Sequence, residues 1–222
     1  SNYASLIEEN AFYIDKTEYI KVLESISDKY IFFLRPRRFG KSLTLSMLEY
    51  YYSIQHKARF EELFGQYFIG QPGNSTPLKN SYYILKFNFS GIGTDVNEEI
   101  RQKFDVEIRS ALKDFLYRYE ISNDREINEN LNIDGGSELL RNFVMLFNRY
   151  KPDSKIYLLI DEYDHFTNEL FSFNLTHFKE IVSRNGWVRK FYEVIKQFMG
   201  DGIIDRFFAT GVTPVTLDSM TS

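Results

Sequence analysis

The chain has 222 residues, 43% of them hydrophobic and 17% aromatic, so it is long enough to bury one sizeable core. Its net charge of −4 argues against broad non-specific affinity for nucleic acid, and the absence of cysteine excludes disulfides and thiolate metal sites. No apolar run approaches a membrane span, and no basic-then-apolar signal precedes the chain's first elements, so we expect a cytoplasmic protein with no membrane partner.

The first predicted elements flank a basic segment. Residues 15–23 are expected to form a short helix, with Asp15 as N-cap and Glu18 completing a capping box. The apolar run Tyr30–Leu34 predicts a strand, and residues 42–52 follow with the pattern of a helix. The basic segment between them, Arg-Pro-Arg-Arg-Phe-Gly-Lys-Ser, therefore connects a strand to a helix.

This segment has the form of a phosphate-binding loop, or Walker A motif, in which glycine and four residues precede Gly-Lys-Ser/Thr. Backbone N–H groups at a helix N-terminus would bind a polyanion, and Lys41 would reach the β and γ phosphate oxygens. The Ser42 hydroxyl would ligate Mg²⁺. The residues expected to bind the nucleotide are Arg35, Pro36, Arg37, Arg38, Phe39, Gly40, Lys41, Ser42 and Leu43.

The first position of the loop departs from the general pattern, because Arg35 stands where glycine is expected. Pro36 restricts Arg35 to an extended backbone, which suits a strand that runs into the loop. Gly40 is expected to let the chain turn and approach the phosphates closely. The alternative interpretation is an exposed basic turn before an ordinary helix.

The middle of the chain predicts an alternation of helices and strands, from the spacing of its apolar residues and from its turn-forming residues. We expect, in chain order, a helix at 58–63, a surface loop at 71–80, a strand at 82–89, a helix at 95–119, an irregular connection at 121–136 and a helix at 137–150.

An acidic motif follows the apolar run at 156–160. Because this run has no polar alternation, it predicts a strand buried on both faces of a parallel sheet. Asp161 and Glu162 come at its C-terminal end, where ligands bind in open sheets. In this Walker B arrangement Asp161 would hold Mg²⁺ through water, and Glu162 would orient or deprotonate the attacking water. The alternative is that both acids only begin a helix.

The last elements are a mixed segment at 167–185, a helix at 188–198 and a strand at 203–210. Thr210 ends this strand and is a candidate for contacting the γ-phosphate, with Thr213 as a second candidate. The alternative is that Thr210 and Gly211 only end a strand in a turn.

These passages, in their order, resemble the bacterial predicted AAA-ATPase-like family, in which arginine is normal at the first loop position. The similar passages are residues 12–18, 35–42, 159–164, 187–192 and 208–214. The resemblance implies an α/β P-loop NTPase-like three-layer sandwich, with a mainly parallel central sheet flanked by helices. It implies one ATPase-like domain over residues 1–222, as a fragment of a longer protein. Family members often continue into a PD-(D/E)XK nuclease-like domain, which is therefore an expected partner and route to nucleic acid.

Three functions remain open. The first is Mg²⁺-dependent ATP hydrolysis, with Glu162, Lys41 and Thr210 as catalytic residues; a carboxylate at 162 favours it, and the lack of an Asn-Lys-x-Asp element favours ATP over GTP. The second is a nucleotide-dependent switch with little turnover that controls the nuclease-like domain or a partner. The third is a two-metal nuclease site that includes Asp164, which would leave the phosphate loop unexplained.

Several further cations could serve phosphoryl transfer. Arg37 and Arg38 could contact the phosphate, could contact the nucleotide of a neighbouring subunit, or could simply be solvated. The other candidate sources of an arginine finger, each otherwise a surface ion-pair residue, are Arg184, Arg189 and Arg206. His165 is the one histidine next to the acidic motif.

Overall fold

One parallel sheet forms the centre of the molecule. The computed structural model describes residues 2–92, 97–165 and 186–214. Its four strands lie in the order β1-β4-β3-β2, and each neighbouring pair is parallel. They are β1 (Tyr30–Leu34), β2 (Tyr83–Asn88), β3 (Ile156–Asp161) and β4 (Ile204–Gly211). The expected α/β sandwich around a parallel sheet is therefore confirmed.

The strand order brings the two sequence motifs to one edge of the sheet. The last strand, β4, lies between β1 and β3, with Leu34 opposite Gly211 and Ile160 opposite Ala209. Because neighbouring strands are about 4.8 Å apart, the ends of β1 and β3 lie roughly 10 Å apart on either side of β4. All strands run the same way, so the basic loop and the acidic motif emerge at the same edge.

Helices cover both faces of this sheet. The first face carries α1 (Tyr3–Glu8), α2 (Tyr19–Ser25), α3 (Lys41–Tyr52) and α4 (Phe60–Phe64), with short 3₁₀ turns at Ile54–Arg59 and Phe68–Gly70. The second face carries α5 (Asn97–Arg118), α6 (Asp124–Leu131), α7 (Gly136–Tyr150) and α8 (Trp187–Gly200). A third 3₁₀ turn, Phe89–Gly91, follows β2. None of the helices within the described ranges is long and apolar enough to cross a membrane.

The strands supply one core to each helical layer, because successive side chains point to opposite faces. On β3, Leu158 and Ile160 pack with the second layer, whereas Tyr157 and Leu159 pack with the first. All six residues of β3 are buried, as the uninterrupted apolar run predicts. Within the described sheet, the outer strand β1 has a neighbour on one side only and is half-buried.

The predicted helix at 15–23 begins too early. The observed helix α2 starts at Tyr19, and Glu18 makes no capping hydrogen bond through its side chain. Asp15 instead accepts hydrogen bonds from the backbone N–H and hydroxyl of Thr17, at 2.8 and 2.7 Å, and from the N–H of Phe68 at 2.8 Å. Asp15 therefore forms a turn and ties it to a distant segment, and the capping box is wrong.

The predicted irregular connection at 121–136 is also wrong, since it contains α6. The Asn123 side chain accepts from the N–H of Glu126 at 3.0 Å, which caps the helix, while Ile127 and Leu131 are buried. Two apolar residues one turn apart are enough to dock a short polar helix once a neighbouring face is present.

The remaining elements follow the predictions to within a few residues. The strands at 82–89 and 203–210 and the helices at 137–150 and 188–198 are confirmed with small changes of end, and residues 71–80 form turns. The helix expected at 95–119 is confirmed from Asn97 to Arg118, and its first two residues lie outside the described ranges. The helix expected at 58–63 is α4, which begins at Phe60 after a 3₁₀ turn. The mixed segment at 167–185 lies outside the described residues.

Candidate functional site

The basic loop turns at Gly40, as the sequence predicts. Its left-handed backbone conformations lie at Arg38 and Gly40, and not at the first position, Arg35. Gly40 is left-handed, with φ 75° and ψ 19°, and a Cβ built there would meet no heavy atom within 4 Å. Glycine is therefore favoured by conformation and not by crowding. Arg38 is also left-handed, with φ 67°, whereas Arg35 is not among the residues of positive φ.

Arg35 continues the parallel pairing of β1. Its N–H donates to the Gly211 carbonyl at 3.0 Å, so the strand extends into the loop as Pro36 predicts. The position where a first glycine is usual thus has an ordinary backbone here. This explains how arginine is accommodated.

The loop leads directly into the N-terminus of α3. The first helical hydrogen bond runs from the Thr44 N–H to the Gly40 carbonyl at 2.9 Å. The N–H groups of Lys41, Ser42 and Leu43 precede it and have no partner within the helix. The loop residues 35–40 that precede these amides are exposed, and the positive end of the helix dipole lies at the same place, which favours an anion there.

Lys41 is a buried cation with little to neutralise it. The residue is only 5% exposed, and its ammonium makes one hydrogen bond, to the neutral Pro36 carbonyl at 3.3 Å. Among the residues that the structure describes, no carboxylate forms an ion pair with it. A buried ammonium is costly unless an anion compensates it, so this position suits a bound polyanion.

The acidic side of the site is organised by β4. The Thr210 hydroxyl is completely buried and donates to Asp161 Oδ1 at 2.5 Å, while it accepts from the Glu162 N–H at 3.3 Å. In the described part of the chain no hydrogen bond reaches Asp161 Oδ2, which leaves that oxygen for another ligand. Thr210 thus fixes the orientation of Asp161; its direct contact with a γ-phosphate stays a prediction.

Glu162 has a strained backbone, with φ 52°. A non-glycine residue in the left-handed region costs about 1–2 kcal/mol, and such strain concentrates at functional sites. The conformation is held by the Tyr163 N–H, which donates to the Thr210 carbonyl at 2.9 Å. The Glu162 side chain is 30% exposed and its Oε2 lies 3.6 Å from His165 Nδ1. The backbone of Glu162 is therefore fixed, while its carboxylate is accessible.

Asp164 has a structural role that the sequence did not reveal. Its Oδ2 accepts from the N–H groups of Val212 and Thr213, at 2.9 and 2.8 Å, and from the Thr213 hydroxyl at 3.2 Å. These bonds fasten the turn after β4 to the acidic motif. Thr213 is part of this turn, and the spacing of Asp164 gave no signal for the contact because its partners are nearly 50 residues away.

Gly211 allows the same turn to pack closely. A Cβ at this position would lie 2.3 Å from Tyr163 Cε1 and 2.7 Å from Asp164 Oδ1, so any other residue would require these two side chains to move. The glycine that ends β4 is thus required by close approach. Its importance depends on the folded arrangement and not on a recognisable local motif.

The positions of the acidic side chains bear on the hypothesis of a two-metal nuclease site. In the ranges described by the structure, no group of three or more His, Asp and Glu side chains is placed to hold a metal ion. Asp164, which the nuclease hypothesis needs as a ligand, is engaged by the turn after β4.

The other arginines fall into different environments. Arg37 and Arg38 are exposed on the loop. Arg189 pairs with Glu193 at 3.1 Å, as expected for a surface ion pair. The prediction that Arg206 forms a surface ion pair is wrong. Arg206 is buried near the N-terminal end of β4, and its guanidinium donates to the Leu23 carbonyl at 3.4 Å. Arg184 lies outside the described residues.

A parallel sheet with this loop and helix N-terminus at its carboxyl edge defines a P-loop NTPase-like α/β protein. The chain matches the family model described as "Predicted AAA-ATPase" over residues 1–221, and it therefore belongs to that family. Comparison with curated proteins and with solved structures gave no significant match.

Proposed function

We propose that this protein binds a nucleoside triphosphate, ATP in the first instance, together with Mg²⁺ and hydrolyses its terminal phosphate. The observation that carries the proposal is the burial of the Lys41 ammonium at a helix N-terminus. Among the residues that the structure describes, it has one neutral hydrogen-bond partner and no carboxylate counter-ion. A triphosphate tail would supply the missing negative charge. Membership of a predicted AAA-ATPase family supports the same activity.

The residues present fit a magnesium ion. The Ser42 hydroxyl and Asp161 are hard oxygen donors, and Asp161 Oδ2 accepts no hydrogen bond in the described part of the chain. Ser42 would bind the ion directly and Asp161 through water. When bound, the ion would neutralise charge on the β and γ phosphate oxygens.

Hydrolysis would then depend on Glu162. The oxygen of a water molecule attacks the γ-phosphorus, the bond from that phosphorus to the β–γ bridging oxygen breaks, and ADP leaves. The Glu162 carboxylate orients the water and accepts its proton. Lys41 and the N–H groups of the loop stabilise the negative charge on the phosphoryl oxygens. Thr210 positions Asp161 and the Glu162 backbone in this arrangement.

The first test is calorimetric titration of ATP, with and without Mg²⁺, into wild type and Lys41→Ala. We expect Lys41→Ala to weaken ATP binding by roughly 10- to 100-fold, the loss of one charge-assisted phosphate contact. Lys57→Ala is the matched control, because Lys57 is exposed on a 3₁₀ turn away from the loop. Equal affinities in wild type and Lys41→Ala would refute the phosphate site.

A regulatory switch is the competing outcome. If wild-type protein binds Mg-ATP but releases no phosphate at high protein concentration, the nucleotide would act as a signal to an attached domain. We propose a nuclease-like domain as that partner, on the family resemblance alone. Phosphate release that exceeds the background rate and requires Glu162 would exclude the switch reading for this chain.

A further inference from the structure

A cavity lies beside the phosphate loop, on the face of the sheet that α2 covers. It has a volume of about 350 Å³, within the size range of small-ligand sites. Its walls come from α2, from β1 and β4, and from the loop and the start of α3. The side chains that matter most are Tyr19, Val22, Phe33, Arg35, Phe39 and Phe208.

The floor of this cavity, which we call the α2 pocket, is aromatic. The rings of Phe33 and Phe208 stack with centroids 5.8 Å apart and planes inclined by 28°. The Arg35 guanidinium lies 5.5 Å from the Phe33 ring centroid, in a cation–π contact. A flat aromatic ligand placed here would lie among the Phe33 and Phe208 rings and the Arg35 side chain, which all line the cavity.

The rim of the α2 pocket is unusually apolar for exposed surface. Phe39 is 64% exposed, Tyr19 54% and Val22 51%. Single exposed apolar residues are common, but three around one aromatic cavity form a contiguous patch that a ligand could cover. Burial of these side chains by a ligand ring would be favourable.

The α2 pocket is continuous with the phosphate loop. Arg35 and Phe39 belong to the loop itself, and Thr44 in the first turn of α3 also lines the cavity. A nucleotide with its phosphates at the N-terminus of α3 would therefore have its base and ribose within reach of the pocket. We propose that the α2 pocket receives the purine base of the nucleotide. This inference rests on the proposed function and adds a second, separable half to the site.

The chemistry of the lining indicates how the base would be held. The charged side chains at the α2 pocket, Lys16 and Arg35, are hydrogen-bond donors only, and none of the described residues that line it has a carboxylate or amide side chain. Recognition thus depends on stacking and burial of the ring faces, which every purine offers. Lys16 at the mouth would contact the ribose or the α-phosphate.

The test compares ATP with inorganic tripolyphosphate, which has the phosphates but no base. Val22→Trp would fill the pocket from its exposed rim, and Val106→Trp on α5 is the matched control because Val106 is 58% exposed. By calorimetry, we expect Val22→Trp to weaken ATP binding at least about tenfold and to leave tripolyphosphate within about twofold of wild type. Val106→Trp should change neither affinity.

A second pair removes a ring in place of adding one. Tyr19→Ala deletes part of the rim, and Tyr117→Ala is its control at similar exposure on α5. We expect a smaller loss of ATP affinity, about three- to tenfold, again without effect on tripolyphosphate. Circular dichroism melting of each variant verifies that the fold is retained.

Three outcomes would overturn the inference. If wild type binds tripolyphosphate as tightly as ATP, the base makes no contact and the phosphate site stands alone. If Val22→Trp and Tyr19→Ala leave ATP affinity unchanged, or weaken ATP and tripolyphosphate equally, the pocket does not hold the base. If wild type binds neither compound, the proposed function fails and the inference fails with it.

Discussion

The Thr210 hydroxyl donates to Asp161 Oδ1 at 2.5 Å, across the pairing of β4 with β3. The same oxygen accepts from the Glu162 N–H, so one buried side chain contacts the carboxylate of Asp161 and the backbone of Glu162. Strand β4 also pairs with β1, and Arg35 at the start of the basic loop donates to the Gly211 carbonyl. The end of β4 is thus the physical link between the phosphate side and the acidic side of the site.

Replacement of Thr210 should affect both stability and metal-dependent binding. Thr210→Val keeps the shape but removes the hydroxyl, which leaves Asp161 Oδ1 and the Glu162 N–H unpaired in a buried environment. We expect a loss of about 1–3 kcal/mol in the free energy of unfolding, measured in urea, and a weaker Mg²⁺ dependence of ATP binding.

Thr17→Val separates these two effects. Thr17 is also completely buried and donates to a carboxylate, Asp15, at 2.7 Å, but that contact ties the N-terminal turn. Thr17→Val should lower the free energy of unfolding while the Mg²⁺ dependence of ATP binding stays at the wild-type level. Thr210→Ser, which keeps the hydroxyl, should retain both the stability and the Mg²⁺ dependence of wild type. An unchanged Mg²⁺ dependence in Thr210→Val would contradict the positioning role.

Glu162→Gln should separate binding from turnover. The amide retains the size and the strained backbone of the glutamate but cannot accept a proton from water. We expect Mg-ATP affinity within about threefold of wild type and phosphate release reduced by about 10²- to 10⁴-fold in a steady-state assay. Glu193→Gln on α8 is a suitable control. Full turnover in Glu162→Gln would remove Glu162 from the chemistry.

Asp164 should behave as a structural residue. Asp164→Ala removes the acceptor of the Val212 and Thr213 N–H groups, and we expect about 2–4 kcal/mol lower stability by urea unfolding. Asp164→Asn retains an acceptor oxygen and should lose about half as much. If Asp164→Ala were as stable as wild type yet abolished a DNA-cleaving activity, the two-metal nuclease interpretation would regain support.

Asp205 should contribute to acid sensitivity. Burial acts to raise the pKa of its carboxyl, but hydrogen bonds from Lys29, at 2.5 Å, and from the Tyr82 hydroxyl outweigh it and hold the pKa below its ordinary value. A lowered folded-state pKa contributes stability above the unfolded-state pKa, and this stability is lost as pH falls through the folded-state value.

The experiment is urea unfolding at pH 7 and pH 3 for wild type and Asp205→Asn. Wild type should lose more stability between these pH values than the variant, by at most ~1 kcal/mol because Lys29 is half-exposed and solvent screens the pair. Identical losses in both proteins would show that Asp205 does not carry this pH dependence.

Much of the fold was readable from local sequence. The apolar runs that became β1 and β3 each predict a strand, and the run of β3 predicts one buried on both faces of a parallel sheet. The long helices α5, α7 and α8 follow from apolar residues at helical spacing. The loop with Gly40 and Lys41 and the acids after β3 are also local patterns. These features could be predicted because each depends on residues close together in the chain.

Short polar elements were harder to read. The helix α6 has few apolar residues, so its docking against α5 and α7 decides its conformation more than its own sequence does. Asp15 has the sequence signature of an N-cap, yet its second oxygen is used by Phe68, more than 50 residues away. The hydrogen bond to Phe68 and the turn at Thr17 determine the position of Asp15, so the local capping pattern does not form.

By itself, the amino-acid sequence determined a parallel α/β fold and the two motifs of the candidate site. Strand burial, helix periodicity and loop chemistry each depend on residues that are neighbours in the chain. Only the tertiary structure decided that Thr210 orients Asp161, that Asp164 fastens the turn after β4, and that an aromatic cavity adjoins the loop. Each of these joins segments brought together by the order β1-β4-β3-β2, which is fixed when the strands pair and not before.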